Sequence, residues 1–279
     1  MKFGFMLCAL VFLMAAPALA GETPLDTAKE TYGYDNWPGR DGALKQGIAL
    51  KDLDLPPYEI KSVRNRLATS GRMILRYGVK GEKKILFEVT VKVLDTVLDA
   101  HEELITYLSA CAARMPDGKS AGVEVGDVCY AAKEEGTVRT VVFVRNNIFV
   151  KVSLLGKAGG SETPIVPDIA GIAKKIDAEI KQAEEAQKPE DLNKPSIDEL
   201  SAPGTATPDT PVEVTLKVSD PKNEKTETHI DEGGGMVYEQ DGKRYFKAEK
   251  PGEYTITIYV MNEHFIVVKK SITIKVEKK

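Results

Sequence analysis

The sequence predicts an α+β fold followed by an all-β region, and three observations carry that prediction. Period-two alternation of apolar and polar residues runs through 72–94 and 137–155. Helical period appears at 97–111 and again at 169–183. After Pro203 no helical period appears, only short alternating runs between turn residues. The first region reads as a two-layer antiparallel sheet with two helices, because its tight connections are antiparallel and two helices can cover only one face. The second reads as a β-sandwich. The expected organisation is a signal peptide over 1–20, an α+β domain over 21–182, a linker over 183–210 and a β-sandwich over 211–279.

The first segment has the pattern of a targeting signal. Lys2 precedes an apolar run over 3–13, and Ala18-Leu19-Ala20 precedes Gly21 as a small-x-small cleavage site. An uncleaved anchor is the alternative. Cys8 lies in this segment and is expected to leave with it. The expected location is secreted or periplasmic. The chain has 38 basic and 42 acidic residues, a net charge of −4 at pH 7. That balance, with basic residues dispersed along the sequence, argues against nucleic acid or an anionic membrane as partner. No later apolar stretch is long enough to span a bilayer.

Residues 21–70 mix aromatics with turn formers in Tyr32-Gly33-Tyr34-Asp35-Asn36-Trp37-Pro38-Gly39. Such aromatics pin an irregular arm onto a core, or stack on a ligand. From Arg72 the pattern sharpens. Met73, Leu75, Tyr77 and Val79 alternate with Arg72, Ile74, Arg76 and Gly78, a turn follows, and 85–94 alternates again. This predicts a hairpin. Thr96 and Asp99 then open a helix whose stripe is Val97, Leu104, Ile105, Leu108 and Cys111. A strand is expected over 123–131.

Cys111 and Cys129 are the two cysteines beyond the targeting segment. An even count in an exported chain predicts a disulfide between them. Loop closure at that spacing would contribute roughly 3 kcal/mol. Two buried free thiols are the alternative.

The centre is a hairpin over 137–155, turned at Asn146-Asn147, because Asn tolerates the left-handed backbone of a two-residue turn. Phe143, Val150, Val141 and Val152 share the face assigned to the helices. Val142, Val144 and Phe149 share the other. Three large apolar groups on one face need a cover or form a binding site. The arm with Tyr34 and Trp37 is the expected cover, so Tyr34, Trp37, Val142, Val144 and Phe149 are the candidate binding residues.

In the last region Val212, Val214, Leu216 and Val218 alternate, as do Tyr254, Ile256, Ile258 and Val260, and Ile272, Ile274 and Val276 close the chain. The run Pro251-Gly252-Glu253-Tyr254-Thr255-Ile256-Thr257-Ile258 resembles the P-G-x-Y-x-I-x-I strand of bacterial immunoglobulin-like and PKD-like modules. The PKD signature Trp-x-Phe-Gly-Asp-Gly is absent, and Asp231-Glu232-Gly233-Gly234-Gly235 stands nearby instead. The resemblance implies an immunoglobulin-like spacer or adhesion module without catalysis.

Catalytic patterns are scarce. The three histidines are not near a Gly-x-Ser-x-Gly elbow, and none occurs in the chain. His101 sits among Asp95, Asp99, Glu102 and Glu103, but zincin-type helices place two His four residues apart. A half-buried structural His is the reading preferred over a metal ligand. Asp231-Glu232 could hold calcium, yet the spacing of an EF-hand is missing. No catalytic residue, metal or cofactor is therefore expected. The expected function is an exported, non-catalytic binding or surface-associated protein with an unknown protein, glycan or small-molecule ligand. An enzyme or enzyme inhibitor with its site in the first domain is one alternative, and an extracytoplasmic sensor or ligand-uptake domain is another.

Overall fold

The structure, a computed structural model, describes residues 23–50, 53–67, 72–155 and 166–278. The expected signal peptide lies outside the described residues. An eight-residue helix α1 (Pro24–Thr31) opens the chain, followed by a short strand β1 (Leu44–Lys45). Then come β2 (Tyr58–Arg66), β3 (Arg72–Val79), β4 (Phe87–Val93), α2 (Val97–Ser109), β5 (Val128–Glu134), β6 (Thr137–Arg145), β7 (Ile148–Leu154) and α3 (Ile169–Gln182). Six of these strands form one antiparallel sheet in the order β2-β3-β4-β7-β6-β5. Two three-stranded meanders thus meet along β4 and β7, where Val91 faces Val150.

Local chemistry explains the elements. Thr96 caps α2, its hydroxyl accepting from the Asp99 N–H while the Asp99 carboxylate returns to Thr96. Asp168 caps α3 through the Gly171 N–H at 2.9 Å. Asn146 takes a φ of 54°, as the tight β6–β7 turn requires.

The two-layer expectation is corrected: the sheet is covered on both faces. On one face Val89, Val91, Val141, Phe143, Val150 and Val152 pack against Ile172, Ile176 and Ile180 of α3, and against Met261 and Phe265 from the C-terminal region. On the other, Val142, Val144 and Phe149 pack against Leu104, Ile105 and Leu108 of α2 and against Ala28, Tyr34 and Trp37. The reason lies in β6 and β7, whose side chains are apolar on both sides. Each side needs its own layer, so the helices divide between them.

The C-terminal region is β-rich, but it is not a single two-sheet sandwich. Its strands are β9 (Ser196–Ser201), β10 (Thr205–Ala206), β11 (Val212–Glu213), β12 (Thr215–Ser219), β13 (Glu227–Asp231), β14 (Met236–Gln240), β15 (Lys243–Lys247), β16 (Gly252–Met261) and β17 (Val267–Val276). They form a four-stranded sheet β10-β17-β16-β13, a three-stranded sheet β11-β15-β14 and a pair β12-β9. Strand outweighs helix in the chain, so the α+β class gives way to a mainly β one. Phe246, Ile256, Ile258, Val260 and Ile274 are the centre of this region's own core.

The segment expected as a linker is structured. A two-residue strand β8 (Glu185–Ala186) pairs with β1, and β9 pairs with β12. Ala186 and Leu192 share a buried cluster with Leu44, Val97 and Ile266. Charge and proline content masked a segment that buries only a few apolar groups, each at an isolated position.

Candidate ligand-binding face

The sequence-predicted binding residues come together as interior. Tyr34, Trp37, Val142, Val144 and Phe149 are all buried in one cluster. The Trp37 ring is tilted on Tyr34 at 5.1 Å and meets Tyr130 at 5.9 Å, and its Nε1 donates to the Tyr32 carbonyl at 2.9 Å. These five side chains are the joint between arm and sheet, and they present no surface to a ligand.

The predicted disulfide does not form. Cys111 and Cys129 are both free. Cys129 belongs to the face under α3, and Cys111 packs with the α2 cluster on the other. The intervening sheet separates them, because strand alternation sends Cys129 the same way as its partner Phe143. Burial pushes the Cys129 thiol up to about 12 and also raises that of Cys111. Neither is a thiolate at neutral pH.

His101 is fully buried, edge-on to Trp37 at 5.7 Å, and neither ring nitrogen has a hydrogen-bond partner. Its neighbour Glu102 points elsewhere, to Lys29 at 2.9 Å and the Tyr34 hydroxyl at 2.7 Å. In the Asp231-Glu232 loop the Asp231 carboxylate accepts from the Gly233 N–H at 3.1 Å. Among the described residues no three His, Cys, Asp or Glu side chains converge as a metal site.

What sequence reasoning missed is the other half of the second sheet face. The helices α2 and α3 lie over β6 and β7. Beside them, β2, β3 and β4 present polar side chains on the face that α2 shares. The register builds this surface in rows. Arg64 stands opposite Ile74, Ile74 opposite Thr90, and Thr90 opposite Lys151. In the next row Ser62 stands opposite Arg76, Arg76 opposite Glu88, and Glu88 opposite Ser153. Arg72 lies two residues from Ile74 on the same side.

The charges on this face divide into two kinds. Some are neutralised: Arg76 binds Glu88 at 2.7 Å, Lys92 binds Glu103 at 2.6 Å, and Lys61 binds Glu59. Others are not. Arg64 is exposed, and among the described residues Arg64, Arg72 and Lys151 form no ion pair. Arg72 Nε is shut off from solvent with no hydrogen-bond partner. Lys151 Nζ lies over the Tyr107 ring, 5.1 Å from its centre. Burial lowers the Lys151 pKa, and the nearby charge of Arg72 lowers it further. Glu88 acts on Lys151 through space but is bound to Arg76. Arg72 and Lys151 are therefore held near one another without an ion pair, beside the rim of α2.

A second surface feature is an apolar groove of about 150 Å³ on the opposite face. Ile60, Val63, Met73 and Leu75 line it from the sheet, and Met261 and Phe265 from the C-terminal region.

No known protein family matches the chain, and no curated protein matches it either. Among solved structures, a nucleoside hydrolase-related hypothetical protein from Saccharophagus degradans, associated with carbohydrate metabolism, aligns at a TM-score of 0.26 and 11% identity. That alignment covers 45% of this chain and 35% of that one, so the chain spans about a third of that protein's length. The tandem Ig repeats of Dlar align at a TM-score of 0.23 and 12% identity, covering 55% of this chain and 88% of that one. At these scores neither likeness assigns a fold or a function.

Proposed function

We propose that the chain is an exported, non-catalytic binding protein that presents the polar half-face of its six-stranded sheet to an anionic ligand. One observation carries this reading: among the described residues Arg64, Arg72 and Lys151 share one sheet face without an ion pair, Arg64 exposed and Arg72 and Lys151 half-buried. Like charges directly opposite destabilise a sheet, and Arg72 stands opposite Arg66 as well as near Lys151, an arrangement that a purely structural surface has no reason to keep. The high thiol pKa values and the solvent-inaccessible His101 support a role without nucleophilic chemistry. The C-terminal region, whose Pro251–Ile258 run resembles immunoglobulin-like and PKD-like strands, serves as an accessory module packed onto the sheet through Met261 and Phe265.

The test uses stability in both states. Arg72→Gln removes a repelling charge, so the unliganded chain should melt at a temperature equal to or above that of the parent. Inorganic polyphosphate at low ionic strength should raise the melting temperature of the parent and not that of an Arg72→Gln/Lys151→Gln variant, because a ligand that binds only the folded state stabilises it. A variant that is destabilised without ligand, together with a parent indifferent to polyphosphate, would show that the cluster is structural.

A further inference from the structure

Resting on the reading of an anionic ligand, we propose that the ligand is an extended acidic peptide, its apolar and acidic residues alternating, that adds a strand to the open edge of β2. The backbone argues first. Among the described residues β2 is an outer strand of the six-stranded sheet and pairs only with β3. The Leu86 N–H donates to the Tyr77 carbonyl at 2.7 Å, so Tyr77, Leu75 and Met73 turn their backbone groups toward β4. Arg72, Ile74 and Arg76 therefore turn theirs toward β2, where they meet Arg66, Arg64 and Ser62. Val63 and Asn65 stand between these pairs, so their N–H and C=O groups point away from β3. Another extended chain is the ligand that matches such a row of alternating donors and acceptors. The bulge between Ile60 and Ser62 closes the start of the edge, so the docked strand runs beside 62–66. Ser62, Val63 and Arg64 are all exposed there.

The two faces of this edge differ, and the difference sets the peptide's chemistry. A docked strand sends alternate side chains to each face. Val63 lies on the face of Leu75 and Val89, 47% exposed, beside the apolar groove of about 150 Å³. A cavity of that size holds one benzene-sized group. The peptide residue bonded to Val63 shares its face, so that residue is the apolar one that fills the groove. Glu227 and Glu263 line the groove against one cation, Lys225, so a carboxylate is disfavoured on this side. On the other face Arg64 is exposed and forms no ion pair among the described residues, and Arg66 and Arg72 stand beside it. A neighbouring strand lies ~4.8 Å away, which brings a Glu or Asp of the peptide within reach of the Arg64 guanidinium. A second copy of this chain fits less well. Its β2 would bring Lys61, Arg64 and Arg66 with a single Glu59, cation against cation.

The experiment measures binding of the end-capped peptide Glu-Val-Glu-Leu-Glu-Val-Glu to the full chain at low ionic strength by calorimetry. The same peptide with Lys in place of Glu should bind about tenfold more weakly. N-methylation of its Val and Leu amides should abolish binding, because those N–H groups face β2, and N-methylation of its Glu amides should leave binding nearly unchanged. Val63→Pro removes an N–H that β3 does not use, which an edge strand tolerates, and binding should be lost. If that variant does not fold, the two methylated peptides test the same bonds from the ligand's side. Arg64→Gln should weaken binding several-fold, and Lys174→Gln/Lys175→Gln on the outer side of α3 should leave it unchanged. Equal binding of the two methylated peptides would overturn the added strand, and equal binding of the Lys peptide would overturn the acidic class. Self-association of the chain that Val63→Pro abolishes would put a second copy at the edge instead. If polyphosphate stabilises the chain through Arg72 and Lys151 but the peptide does not bind, the peptide is wrong and the anionic reading stands. If neither binds, both fall.

Discussion

His101 shows how a single residue can set an acid limit on the fold. Burial disfavours its charged form, Arg40 adds to that, and Asp127 opposes, so its pKa lies below the ordinary value. As pH falls through about 6.5, the unfolded chain takes up the proton first. Stability present above that pH is therefore lost on the way down to the lower folded value. His101→Phe removes two unpartnered nitrogens and should stabilise the chain by about 1 kcal/mol at neutral pH. It should also flatten the loss between pH 7.5 and 5.5 in urea unfolding. Asp177 behaves differently. Burial pushes its pKa up, but Arg145 and Lys181 outweigh this and hold it below the usual carboxylate range. Arg145 spans Asp177 at 2.8 Å and Asp127 at 2.7 Å, fixing α3 to the β6–β7 turn. The stability from Asp177 is complete above about pH 4 and is lost as pH falls through its depressed folded value. Asp177→Asn should cost about 3 kcal/mol at neutral pH, read from the denaturation midpoint.

At the scale of elements, legibility followed periodicity. The β3, β6, β7, α2 and α3 segments each carry an unbroken period, and the Asn146-Asn147 turn and both helix caps have direct sequence signatures. The β2 strand was hidden because a bulge between Ile60 and Ser62 breaks its alternation. The α1 helix is short and buries only Ala28 deeply. The strand β9 carries only Ile197 and Leu200 on its inner side, among acidic residues. The cationic face was invisible for a different reason. Arg64 and Arg72 meet through the pairing of β2 with β3, and Lys151, far along the chain, joins them only through the pairing of β4 with β7. The arm's fit is directly measurable. Trp37 emission should be blue-shifted in the native chain. Phe149→Ala, in the same cluster, should shift it and cost about 3–5 kcal/mol.

The whole molecule behaves as joined parts. Met261 and Phe265 enter the core of the six-stranded sheet, and Val93 pairs with Ile266 as an isolated bridge. Asn262, buried, donates to the Asn193 carbonyl at 2.8 Å and accepts from the Ile266 N–H at 3.1 Å. The segment 183–210 is therefore held at both ends, and limited proteolysis should spare it while other loops are nicked. Urea unfolding should show one transition for both regions. Phe265→Ala should cost about 3–5 kcal/mol and separate that transition into two. Two coincident transitions in the variant would show that the joint lies elsewhere.

The side chain of Asn147 binds the backbone of Lys45 through both its oxygen, at 2.6 Å, and its nitrogen, at 3.2 Å, across 102 residues of sequence. The same nitrogen holds the Leu94 carbonyl at 2.8 Å. This sets the order of events during synthesis. The arm leaves the ribosome first, but its seat does not exist until β7 has followed. At about 5–20 residues per second, that interval lasts on the order of 5–20 s. Through that time Tyr32, Tyr34 and Trp37 have no native surface to meet, so the arm waits on a strand made long after it.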